Sequence, residues 1–134
     1  MARGQTLHVR RRAGRRCEYC QMPEAYYRTR FQVDHVIAQQ HGGDDDLDNL
    51  AWSCLHCNVH KGPNIAGLDT ETGALTRLFH PREDKWDEHF VWHGAWLVGK
   101  TAVGRATIAV LAINDARYVT VREALMAEGV FPPD

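Results

Sequence analysis

Four cysteines, and only four, occur in the 134-residue chain, and they fall into two CxxC pairs: Cys17-Glu18-Tyr19-Cys20 and Cys54-Leu55-His56-Cys57. This arrangement constrains the fold more than anything else in the sequence. Each pair can form a knuckle presenting two thiolates to one ion, and two knuckles complete a tetrahedral four-cysteine zinc site. A reducing compartment disfavours disulfides. A redox CxxC would have to open a helix within a βαβ unit, and neither flank shows one. The 33 residues between Cys20 and Cys54 exceed a zinc-ribbon hairpin, so a larger element must lie between the knuckles.

That intervening segment is rich in polar groups suited to chemistry. Tyr26 to Ile37 (YYRTRFQVDHVI) carries aromatic and β-branched residues and reads as extended structure ending near Asp34-His35. A Gly42-Gly43 loop and an acidic run (Asp44, Asp45, Asp46, Asp48) follow. We read that run as a solvated loop turned away from any nucleic acid. Residues 50–53 then form a short strand, and residues 55–61 a short helix stopped at Gly62-Pro63. A carboxylate and an amide oxygen are hard donors suited to Mg²⁺ or Mn²⁺. An imidazole with its ordinary pKa near 6.5 can take a proton from water at neutral pH. Metal plus general base is a minimal set for phosphodiester hydrolysis. Adjacent strand residues point to opposite faces, so joint service by Asp34 and His35 requires the strand to end or bulge there.

The order CxxC, Asp34-His35, Gly42-Gly43, Asn49-Leu50, Cys54-x-x-Cys57-Asn58, Lys61-Gly62 resembles the HNH endonuclease family, in the subgroup with a four-cysteine zinc site. The resemblance spans residues 17–62. It implies a small zinc-stabilised ββα-metal core and assigns roles. Cys17, Cys20, Cys54 and Cys57 would hold structural zinc. His35 would be the general base, and Asp34 with Asn58 would ligate a catalytic divalent ion, Mg²⁺ or Mn²⁺. Asn49 would pin the loop and orient His35 through the backbone. Asn58 stands where many relatives have a second histidine, which makes this an HNN variant. Family precedent implies DNA cleavage leaving 5′-phosphate and 3′-hydroxyl ends, with RNA an open alternative.

Charge distribution points to the same partner class. Residues 1–32 hold eight arginines against Glu18 and Glu24, whereas residues 33–134 hold eight basic against fifteen acidic side chains. A basic arm on an acidic body suggests a polyanion partner. Arg10, Arg11, Arg12, Arg15, Arg16 and Lys61 are the candidate phosphate contacts, which give affinity and salt dependence but little sequence information. No separate recognition helix is visible, so cleavage should be weakly sequence-specific. The rival readings are a non-catalytic, zinc-supported nucleic-acid-binding module with a degenerate HNH site, and a zinc ribbon that contacts proteins.

The expected fold is α+β: an N-terminal helix over residues 5–16, the zinc core over about 5–65, and a C-terminal hairpin plus helices bracing it over about 75–130, all one domain. Residues 64–74 read as loop. Residues 90–100 suggest a hairpin turning at His93-Gly94, and Thr101 should cap a helix over 102–113. A last helix over 119–128 should end at Gly129. Phe79, Trp86, Phe90, Trp92 and Trp96 should build a small core. No apolar run approaches the roughly 18 residues of a membrane span, and no secretory leader is visible, so the expected location is the cytoplasm.

Overall fold

The computed structural model describes residues 3–133. It is an α+β fold in which contacts group the chain into two compact units. The first runs to Ile65 and takes in His80–Asp84; the second comprises Ala66–Phe79 and the chain from Lys85 onward. The return of His80–Asp84 to the first unit has a local cause. The Arg82 guanidinium donates to the Glu18 carboxylate, a half-buried ion pair beside the first knuckle.

In the first unit, helix α1 (Arg3–Arg12) places Arg10, Arg11 and Arg12 in its last turn, where cations complement the helix dipole. Its helical pattern stops short of Arg16 because Gly14 and Arg15 both adopt left-handed backbone (φ +66° and +56°). The first knuckle is a tight turn: Cys17 N donates to Met22 O, and Gln21 N to Cys17 O, each at 2.9 Å. Strand β1 (Gln32–His35) pairs antiparallel with β2 (Leu50–Ser53), in register from Gln32↔Ser53 to His35↔Leu50. The extended run expected from Tyr26 is thus shorter. Glu24–Tyr26 forms a 3-10 turn after Pro23, and β2 offers only four residues to pair with. All four residues of β2 are buried. Helix α2 (Leu55–Lys61) follows directly. Cys54 caps it by accepting the Cys57 N–H at its sulfur, and Gly62 closes it by donating to Asn58 O. The β1–β2–α2 order is the expected ββα arrangement.

The second unit contains two more antiparallel hairpins and three helices. Strands β3 (Ala66–Leu68) and β4 (Leu75–Arg77) pair where a loop was expected. The sequence hides them because they are three residues long and carry exposed Leu68 and Leu75. Their turn is built by Asp69, whose carboxylate accepts from Glu71 N and Thr72 Oγ1. Helix α3 (Trp86–His89) leads into the hairpin β5 (Phe90–His93) and β6 (Trp96–Gly99). Helix α4 (Ala102–Val110) is capped by Thr101 as anticipated but stops three residues early, because Ala112 adopts φ +48°. Helix α5 (Ala116–Ala127) starts earlier than its apolar pattern, because the Asp115 carboxylate caps Arg117 N.

The core of this unit is aromatic, as expected, with one exception. Phe79 and Phe90 are buried and meet edge to face at 5.2 Å, and Trp86 and Trp92 join them. Trp96 is instead more than half exposed on β6. Arg122 is the surprise. It is 1% exposed and stacks over Trp92 at 5.1 Å. Its guanidinium donates to Ala95 O (2.9 Å), Ile113 O (3.0 Å) and Asn114 Oδ1 (3.3 Å). Among the described residues, no helix is long and apolar enough to cross a membrane.

Candidate metal and catalytic site

The two knuckles bring the four cysteines together. All four are buried, and their sulfurs lie within 4.8 Å of one another. Cys20 Sγ and Cys54 Sγ are 3.8 Å apart, and a tetrahedron with Zn–S near 2.3 Å has an edge of about 3.8 Å. Contacts with the Cys17 and Cys20 sulfurs push the Cys54 and Cys57 pKa values up. Four thiolates cannot share this volume without a cation, so the donor set is compatible with structural zinc.

The polar residues between the knuckles separate onto the two faces of β1. The register is regular through His35, so no bulge is present, and the strand simply ends there. Gln32 and Asp34 share the face toward α2; Val33 and His35 take the other. On the α2 side, Asn58 Nδ2 donates to Gln32 Oε1. One turn further, Lys61 Nζ lies 3.2 Å from Asp34 Oδ2 and 3.1 Å from the His35 carbonyl. Tyr19 Oη donates to Asp34 Oδ2 at 2.6 Å. Asp34 is 5% exposed, and burial pushes its carboxyl pKa up against the opposing pull of Lys61. Burial, reinforced by Asp34, also pushes the Tyr19 phenol well up.

This geometry corrects one expectation. Lys61 was assigned to a DNA phosphate, but it is 1% exposed and its ammonium is spent on Asp34 and the β1 end. A buried cation of this kind is tolerated only with a partner, and Asp34 is that partner.

On the other face, His35 Nε2 lies 2.7 Å from Asp45 Oδ1. The acidic run is therefore not wholly turned away: Asp45 reaches back to the imidazole, and that hydrogen bond holds its carboxyl below the usual range. Asp45 is the residue that sequence reasoning missed. The loop that delivers it is pinned by Asn49. Asn49 Oδ1 accepts from Ile37 N (2.9 Å), and its Nδ2 donates to Ile37 O (3.0 Å) and Asp44 O (2.9 Å). Its own carbonyl accepts from Val36 N at 2.9 Å. Gly43 lets the loop close this tightly. A Cβ there would sit 1.7 Å from Ile37 O and 2.9 Å from Asn49 Nδ2. Asp44, Asp46 and Asp48 remain exposed and clustered, and mutual repulsion, led by Asp44, raises the Asp46 carboxyl.

The arginines have mixed fates. Arg10 Nε pairs with Glu24 Oε1 at 2.9 Å, and Arg12 Nη2 donates to Leu50 O at 2.7 Å. Arg11 and Arg15 are exposed, while Arg16 Nη1 is buried with no hydrogen-bond partner.

Two donors remain open. Asn58 Oδ1 accepts no hydrogen bond, and Asp34 uses three of about four carboxylate acceptor positions. Asp34 and Asn58 offer oxygen donors of the hard type that a divalent ion takes, and an ion at Asp34 would share that 5% exposed carboxylate with the Lys61 ammonium.

Residues 17–64 match the family model described as HNH endonuclease. Comparison with curated proteins and with solved structures gives no match.

Proposed function

Taking residues 17–64 as an HNH segment, we propose that the chain is a metal-dependent endonuclease that hydrolyses phosphodiester bonds in DNA with weak sequence preference. The observation that carries this reading is the His35–Asp45 contact on the Asn49-pinned loop, placed at the end of β1 between two zinc knuckles.

The chemistry follows from the atoms. With the Nε2 proton donated to Asp45, the lone pair of His35 resides on Nδ1, which makes no hydrogen bond within the protein. That nitrogen is free to take a proton from an attacking water. Asp45 fixes the ring and stabilises the imidazolium that results. Asp34 and Asn58 are the residues that would hold the divalent ion; when bound, it supplies charge neutralisation at the phosphate and its leaving oxygen. Asn49 does not touch the reacting atoms. It holds the loop that carries Asp45 and the backbone that carries His35. Cys17, Cys20, Cys54 and Cys57 would hold a structural zinc, which would keep β2 and α2 attached to the first knuckle.

Supercoiled-plasmid cleavage tests this with Mg²⁺, with Mn²⁺, and with EDTA at a level that leaves the zinc bound. Wild type should nick with metal and not without. His35→Ala should lose at least about 100-fold, the range expected for a general base. Asp45→Asn should lose less, keeping its KM while kcat falls. Cleavage by His35→Ala at the wild-type rate removes the base assignment. A single sharp cut on a long duplex removes the weak-specificity reading.

One observation favours the non-catalytic alternative. The Asp34 carboxylate is already neutralised by a buried lysine. Folded, zinc-loaded protein that binds DNA but cuts nothing under any metal would establish that reading instead.

A further inference from the structure

Two adjoining hollows lie along α1 and the first knuckle, with volumes of about 430 and 720 Å³. They share Arg10 and Glu24 in their walls. Five arginines line them, Arg15 and Arg16 in the smaller, Arg3 and Arg30 in the larger, and Arg10 in both; Glu24 is the one acid. Glu24 is already paired with Arg10, and among the described residues no carboxylate pairs with the other four guanidiniums.

Two details make this more than a solvated basic face. Arg16 Nη1 is buried in the wall of the smaller hollow without any hydrogen-bond partner. A buried unsatisfied donor on a cation is costly, and a small turn of the Arg16 side chain into the hollow would bring it to an anion there. Arg15 sits at φ +56°, a backbone conformation that a glycine occupies without steric cost and an arginine does not. Its backbone is fixed there by Arg15 N donating to Arg10 O and by Glu24 N donating to Arg15 O. A residue kept in a strained conformation where glycine would fit is a pointer to its side chain's use. Beside them Tyr26, half exposed, stands in the wall of the smaller hollow.

Resting on the nucleic-acid reading above, we propose that this groove is a binding subsite for a single strand of nucleic acid, separate from the reacting phosphate. Backbone phosphates sit on Arg15, Arg16, Arg3 and Arg30, and an unpaired base stacks on Tyr26. The aromatic ring decides for a single strand. A base inside a duplex has both faces covered by its neighbours, so Tyr26 can stack only on one that is unpaired.

The test is binding, read by fluorescence anisotropy with a labelled oligo(dT) and with a duplex of equal length, at several salt concentrations and without added divalent ion. Catalysis plays no part in this signal, so an inactive His35 site leaves it intact and the two readings fail separately. Wild type should prefer the single strand, with a salt slope near −0.7 per neutralised phosphate. Arg15→Gly with Arg16→Gln should weaken binding about tenfold and reduce the slope by about 1.4. Tyr26→Ala should weaken oligo(dT) binding about tenfold and leave the duplex unchanged. Arg15→Gly alone should keep its thermal midpoint at or above wild type while binding falls, a combination that a structural role for Arg15 does not produce. Wild-type affinity in the arginine variants overturns the subsite. Duplex preference with a silent Tyr26→Ala overturns the single-strand assignment.

Discussion

The two units solve the small-core problem with opposite chemistry. The first unit concentrates buried polarity: four thiols, the Asp34–Lys61–Tyr19 cluster, and the Asn49 amide. The second packs Phe79, Phe90, Trp86 and Trp92 and lets a single buried cation, Arg122, tie three backbone segments together. In the first unit removal of one partner leaves a charge stranded in low dielectric. Removing Arg122 from the second leaves mostly neutral carbonyls, and its buried Asp69, held by Arg105, is the exception. The difference teaches where the chain can afford a reactive surface. The cysteine cluster and the buried Asp34–Lys61 pair hold the first unit together from within, and its outer face carries His35, Asp45 and open arginines.

The largest effect expected is from the metal. Stripping the zinc or changing Cys54→Ser should remove much of the first unit's folding energy, about 10–16 kcal/mol for structural zinc at neutral pH. Amide exchange should then show protection lost first across residues 17–64. Protection lost first in α4 and α5 would break the contrast.

Next in size is the buried pair. Asp34→Asn leaves the Lys61 ammonium without its carboxylate and should cost about 3–5 kcal/mol in denaturant unfolding. Asp34→Asn with Lys61→Met should regain most of that stability. Cleavage should stay lost in the double variant, which separates the metal-ligand role from the structural one. Recovery of both together would mean that Asp34 serves only the fold.

Arg122→Met should cost less, about 2 kcal/mol, because neutral acceptors are abandoned rather than an opposite charge, and the thioether can still pack against Trp92. A loss as large as that of Asp34→Asn would erase the distinction drawn between the units.

The smallest effect is pH-dependent. Arg105 donates to both oxygens of Asp69, and this holds the Asp69 carboxyl far below its ordinary value. Its folded pKa is depressed, so its stabilisation is complete above the unfolded value near 3.9 and is lost as pH falls through the folded one. Wild type should therefore show an acid limb below about pH 4 that is shallower in Asp69→Asn. Identical limbs would place acid sensitivity elsewhere.

Much of this was legible in the chain because it depends on near neighbours. The CxxC spacings announce two knuckles. Thr101 two positions before the apolar Val103, and Gly62-Pro63 after Lys61, mark helix ends by local hydrogen-bond chemistry. The β3–β4 hairpin was not legible, since three-residue strands with exposed leucines carry no alternation. Nor were the partners of Lys61 and Asp45. Both charges look like surface residues until β1, α2 and the Gly43 loop are folded against each other, 26 and 10 residues from the groups they meet.

The sequence by itself determined the two cysteine knuckles and the order of the ββα elements, because residue type and short spacing are enough for these. Tertiary structure alone decided which face each group takes. A regular, unbulged β1 sends Asp34 inward to a buried lysine and His35 outward to an aspartate, since alternate strand positions must point to opposite sides and only the packing partners determine which side is dry.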